Sequence, residues 1–237
     1  MDILAIIYRI KEFIITGVHN FPLIVTLTSL ILLCATANIG YSVLFVSLAI
    51  IVPAITWLLN KTLSPWIQTA LNWIIHLFNS EISIPFNPAT AAVCRMAPQT
   101  GTGPIETFPS YWLSSIVFLF TFTFYNGLTL YNYVASTDAP KEKVDARQAH
   151  AMFGMIASIV LLLVFLIWRL MSGCEHWFGV LMSFSFVGIA IGFFEAFKGC
   201  GLLRLVDLYG IGSRFLPMSA TAINSQVCFP VAGTKAP

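Results

Sequence analysis

Charge is scarce in this sequence. Only 9% of its 237 residues are Asp, Glu, Lys or Arg, against roughly 25% in an ordinary soluble domain. Such a chain cannot cover a water-facing globule, and with 58% hydrophobic residues its main solvent has to be lipid. The net charge of +2 is near balance and no basic patch occurs, which speaks against nucleic acid as a partner. Catalytic signatures are lacking as well: there is no Gly-x-Ser-x-Gly, no Walker loop and no His-Glu-x-x-His. The GTG triplet at 101–103 has neither the lysine nor the following helix of a phosphate cradle. The opening MDILAIIYRIKEF does not have the layout of a signal peptide. Asp2 precedes the apolar stretch, Arg9, Lys11 and Glu12 interrupt it, and no small-residue cleavage site follows.

Long apolar runs are what the sequence does have. A membrane-crossing helix needs about 20 mostly apolar residues. Residues 21–38, 41–60, 111–134, 151–171 and 177–197 meet that need, which predicts five spans. The first two are separated only by Ile39 and Gly40 and read as a tight hairpin, with Pro53 expected to kink the second helix. Two shorter stretches read as amphipathic helices at the headgroup boundary. Residues 2–16 place Ile3, Ile6, Ile7, Ile10 and Ile14 at helical spacing. Residues 65–78 place Trp66, Ala70, Trp73, Ile74 and Leu77 on one face. Pro85, Pro88, Pro98, Pro104 and Pro109 make 79–110 an ordered loop rather than a helix.

The expected fold is therefore all-α, a polytopic transmembrane bundle with interfacial helices. Its regions are an N-terminal amphipathic helix (1–20), a transmembrane hairpin (21–60), an interfacial helix with a Pro/Gly-rich loop (61–110), a three-span bundle (111–198) and an extramembrane tail (199–237). Aromatic residues fall where membrane edges are expected: Trp57 and Trp66, Tyr111 and Trp112, Tyr131 and Tyr133, Trp168 and Trp177. Arg9, Lys11, Lys61, Arg95 and Arg169 share one side of this arrangement. Lys141, Lys143, Arg147, Lys198, Arg204, Arg214 and Lys235 share the other, a lean toward a cytosolic C-terminus.

The densest charge lies in TDAPKEKVDARQAHAMFGM, residues 137–155. Glu142 and Arg147 before an apolar helix bear a faint resemblance to the chlorophyll-binding helix of light-harvesting proteins. Lys141, Lys143 and Asp145 crowd the same turn, however, and place it in water, so the stretch reads as a polar connector. His19, His76, His150 and His176 are too far apart for a helical metal site. Adjacent Cys174, Glu175 and His176 cannot all converge on one ion, so no metal or cofactor is expected. Glu195 is the one acid inside an expected span, and Lys198, a turn away, gives it a local partner. Asn126 lies deeper and is expected to hydrogen-bond to a neighbouring helix. Cys34 lies within the first span. Cys94 and Cys174 share one side and Cys200 and Cys228 the other, so either pair can form a disulfide if its side is oxidising, or all can be free.

The stretch from Phe108 to Gln148 carries Pro109, Ser110, Tyr111 and Trp112 opening an aromatic span, then Asn126, Tyr131, Lys143, Val144 and Arg147. In this pattern it resembles multi-pass membrane proteins of nucleocytoplasmic large DNA viruses. That resemblance implies a structural protein of the virion's internal membrane beneath the capsid. Its partners would be the lipid bilayer, minor capsid or other membrane proteins, or further copies of itself, and it implies no catalytic residue. Two other classes stay open from the residues: a small subunit of a membrane enzyme or pigment complex, and a channel or transporter.

Overall fold

The computed structural model describes residues 15–36, 39–77, 109–134, 141–175 and 177–199, together with Arg9 and Phe13. These residues are helical nearly throughout and include no strand. The elements are α1 (Phe21–Thr36), α2 (Ile39–Val46), a π turn (Ser47–Ile51), α3 (Val52–Leu77), α4 (Tyr111–Tyr131), α5 (Lys141–Met171), α6 (Trp177–Ser183) and α7 (Ser185–Gly199). Most of the expected N-terminal amphipathic helix, the 79–108 loop and the tail from residue 200 lie outside the described residues.

Among the described residues four stretches are long and apolar enough to cross a membrane: Gly40–Leu63, Tyr111–Tyr131, Val144–Met171 and Gly179–Gly199. The fifth expected span, α1, has 16 residues, which rise only about 24 Å. Its helical path is extended at the start. Asn20 N–H donates to Thr16 O at 3.0 Å and Ile24 N–H to Asn20 O at 2.9 Å, so residues 15–19 join α1 with the hydrogen bonding unbroken.

Pro53 acts through the turn before it. Val52 N–H donates to Ser47 O, five residues back, so the chain widens into the π turn. In that register the next donor would be residue 53 and its acceptor Leu48 O, but proline has no N–H. The carbonyl so released accepts from another helix, the Tyr111 hydroxyl at 3.0 Å. Beyond Pro53 the helix does not stop at residue 60 as expected. It runs through Pro65 to Leu77, so the span and the supposed interfacial helix are one element.

The charged run at 141–150 is also helix, not a loop. Lys, Glu, Ala, Arg and Gln are good helix formers, Glu142 stands in the first turn where the helix dipole favours an acid, and the charges lie on the first turns of a 31-residue helix.

α4 is the hub. It packs on α1, α3, α5, α6 and α7, and residues from Trp112 to Phe120 on its first turns are buried continuously. Its aromatic rings meet those of its neighbours: Trp112 meets Phe165 edge-on at 5.7 Å, Phe120 stacks on Phe165 at 5.9 Å, and Phe122 meets Phe194 at 5.5 Å. Such pairs add about 0.5–1.5 kcal/mol each beyond the area they bury. Gly127 sets the α4–α5 spacing. A Cβ there would lie 2.8 Å from Met155 Cγ and 3.2 Å from Ala151 O.

Candidate functional site: a knot at Pro109–Trp112

Four consecutive residues at the start of α4 tie five separate segments together. Pro109 O accepts from Asn60 Nδ2 of α3 at 3.2 Å. Ser110 caps α4: its backbone is extended, and its Oγ accepts from Leu113 N–H at 3.2 Å, meeting one of the donors a helix start leaves free. The same hydroxyl donates to Glu175 Oε1 in the turn after α5. Tyr111 reaches Leu48 O of the π turn. Trp112 Nε1–H donates to His19 O at 3.0 Å and lies 3.3 Å from Val18 O. Sequence reasoning put Trp112 at a membrane edge, yet it is 2% exposed and belongs to the core.

Arg169 of α5 completes the knot. Its guanidinium lies over the Trp112 ring, 4.7 Å from the centroid, and Nη2 donates to Glu175 Oε1 at 3.1 Å, with both side chains almost fully buried. The sequence makes this pairing possible through one glycine. Gly173 has φ 68°, its N–H bonds Leu170 O, and Cys174 N–H bonds Arg169 O, the paired bonds of a Schellman helix end. The chain reverses there and brings Glu175 back beside Arg169.

Burial pushes the Glu175 carboxyl above its ordinary range, while Arg169 and the Ser110 hydroxyl pull it down. His19 is held below its ordinary value, chiefly by burial and secondly by the Arg169 cation. Both His19 ring nitrogens, and Nε and Nη1 of Arg169, are buried with no hydrogen-bond partner among the described residues. Chemically the arrangement is a clasp, in which a buried ion pair is held by an indole face and a cap hydroxyl.

The other sequence-derived residues divide between contact and exposure. At the far end of α5, Arg147 is 2% exposed. It donates to Tyr133 O at 2.6 Å and lies over the Tyr133 ring at 5.1 Å, although it was expected in a watery turn. Val144 is half-buried, and Tyr131 and Asp145 are exposed; Lys143 belongs to the α5 backbone. Glu195 and Lys198 pair at 3.7 Å on an exposed face, as expected. Asn126 is buried, but its Nδ2 has no partner among the described residues. The side-chain bond between α4 and α5 is made one turn earlier, Thr123 Oγ1 to Ser158 Oγ at 3.0 Å. Cys174 is disulfide-bonded and Cys34 is a free thiol, while Cys94, Cys200 and Cys228 lie outside the described residues. No group of three or more His, Cys, Asp or Glu able to hold a metal occurs among the described residues.

The Arg169–Glu175 clasp was missed in the sequence. Its signal in the sequence is an arginine in the last turn of a span and a glutamate just past a glycine. Fold and site together define an all-helical protein whose apolar helices fit a lipid bilayer, knotted by polar bonds at one end. Compared with family models, curated protein sequences and solved structures, the chain matches none.

Proposed function

We propose that the chain is a structural integral membrane protein, and that its setting is the internal membrane of a large DNA virus particle, where it links that membrane to capsid or neighbouring membrane proteins. The structural part of the proposal is carried by the knot. The Pro109 carbonyl, the Ser110 and Tyr111 hydroxyls and the Trp112 indole N–H all bind other segments of the same chain. A site built for turnover or passage would keep polar groups facing a cleft; here they hold helices in place. The viral setting draws its support from the resemblance over 108–148. Within that stretch, Pro109 to Trp112 make the knot and Arg147 meets Tyr133 at the opposite end.

Two measurements test this. Proteomics of purified particles stripped of outer material should find the chain with the internal membrane and in contact with capsid proteins on cross-linking. Its presence only in unrelated host membranes would overturn the viral setting. Purified protein in liposomes should carry no ion flux, and a flux abolished by Glu195→Gln would replace the structural role with a transport one.

A further inference from the structure

Cys174 is disulfide-bonded while Cys34 is free, which leaves Cys94, Cys200 and Cys228 as candidate partners. A disulfide joins Cα atoms usually no more than about 6.8 Å apart, and the fold separates the three. Cys174 lies in the turn closing α5, beside the knot. Cys200 directly follows Gly199, the end of the 21-residue stretch Gly179–Gly199 that begins near that turn. Such a stretch rises about 31 Å, so Gly199, the residue before Cys200 in sequence, lies at the opposite end of the bundle from Cys174. Cys228 follows Cys200 with no intervening apolar run long enough to cross back. Cys94 is placed differently. It lies between Leu77, the end of the helix that meets the knot at Asn60, and Pro109, which belongs to the knot. The sequence between them holds no crossing run either.

We infer that Cys94 and Cys174 form the disulfide, and that the knot end of the bundle faces an oxidising compartment while residues 132–134, the first turns of α5 and the C-terminal end of α7 face a reducing one. The inference needs only that the helices cross a bilayer, and it holds whether or not the membrane belongs to a virion. A structural disulfide persists on the oxidising side. Charge is an independent pointer. The far end carries Lys141, Lys143, Arg147 and Lys198, followed in sequence by Arg204 and Arg214. At the knot end stand the exposed Lys61 and the buried Arg169, the latter paired with Glu175, with Arg9, Lys11 and Arg95 on that side in sequence, so the far end leads by seven to five once Lys235 is counted. An excess of Lys and Arg marks the cytosolic face, and that face is the reducing one.

The test uses the full chain in its membrane. A digest made without reduction, with free thiols blocked first, should yield a cross-linked peptide joining Cys94 to Cys174. Cys174 recovered as a blocked thiol, or joined to Cys200 or Cys228, overturns the pairing. In sealed cells a membrane-impermeant maleimide should label Ser172→Cys from outside and Cys200 only after permeabilisation. The reverse pattern overturns the orientation, and labelling of both from one side overturns the crossing on which the inference rests.

Discussion

α4 and α5 lie against each other, yet the less apolar of the two is the more enclosed. In its most apolar 18-residue stretch α4 has 61% of residues buried, and α5 only 22%. α4 buries Ser114, Ser115, Thr123 and Asn126. α5 turns Phe153, Ile156, Val160, Leu163, Val164 and Ile167 outward. In water the order would be reversed, because apolar surface is driven inward. Lipid supplies no such drive between helices. What selects the interior is close packing and hydrogen bonding, so small, aromatic and polar residues collect there.

The contrast can be broken most forcefully at the clasp. Glu175→Leu leaves Arg169 buried without its carboxylate, and removing one partner of a buried pair costs about 3–5 kcal/mol. Leu163→Ala or Val164→Ala on the outward face of α5 should stay within about 0.5 kcal/mol. Unfolding in detergent compares them, and equal losses at the two places would erase the distinction between the helices.

The glycines give a smaller, matched contrast. Gly127→Ala on α4 drives a methyl against Met155 and the Ala151 carbonyl, an overpacking cost of about 1–3 kcal/mol. Gly154→Ala on α5 meets nothing within 4 Å and should be neutral or gain up to about 1 kcal/mol from helix propensity. A Gly127→Ala variant as stable as Gly154→Ala would show that the two helices do not approach closely there.

The smallest effect is a pH dependence at His19. Its folded-state value lies below the ordinary 6.5, so on acidification the unfolded chain takes the proton first. Stability contributed by neutral His19 is therefore present above pH 6.5 and declines as pH falls below it, until the folded site also protonates. Glu175, whose value is raised, works in the opposite sense, so the readout is the difference between wild type and His19→Gln from pH 7 to 5. Identical slopes in the two proteins would mean that neither burial nor the Arg169 cation lowers His19 in the fold.

Span positions were legible because length and apolarity are written residue by residue. The 41–60, 111–134 and 177–197 runs correspond to membrane-length helices within a few residues. What was illegible depends on pairing. Charge at 141–150 has the density of a water-facing loop although its residues favour helix, and the partner that buries Arg147 lies 14 residues upstream at Tyr133. Helix continuity through Pro65 is not legible because a proline that opens an amphipathic stretch has the pattern of a helix start, although a long helix can continue past one. In the Pro109–Trp112 motif the sequence displayed the right residues without their roles, since the partners come from positions 48, 60, 18–19 and 175.

The Tyr111–Leu48 bond makes two distant positions a single heritable trait. Pro53 orphans the Leu48 carbonyl by lacking an N–H, and the Tyr111 hydroxyl answers it from another helix. A descendant that kept the proline and lost the hydroxyl would carry a bare carbonyl inside the bundle. One that lost the proline could regain an N–H of its own and would no longer need the hydroxyl. Drift at residue 111 is thus conditional on residue 53, and divergent copies of this chain should exchange the two together, although they stand 58 positions apart in the sequence.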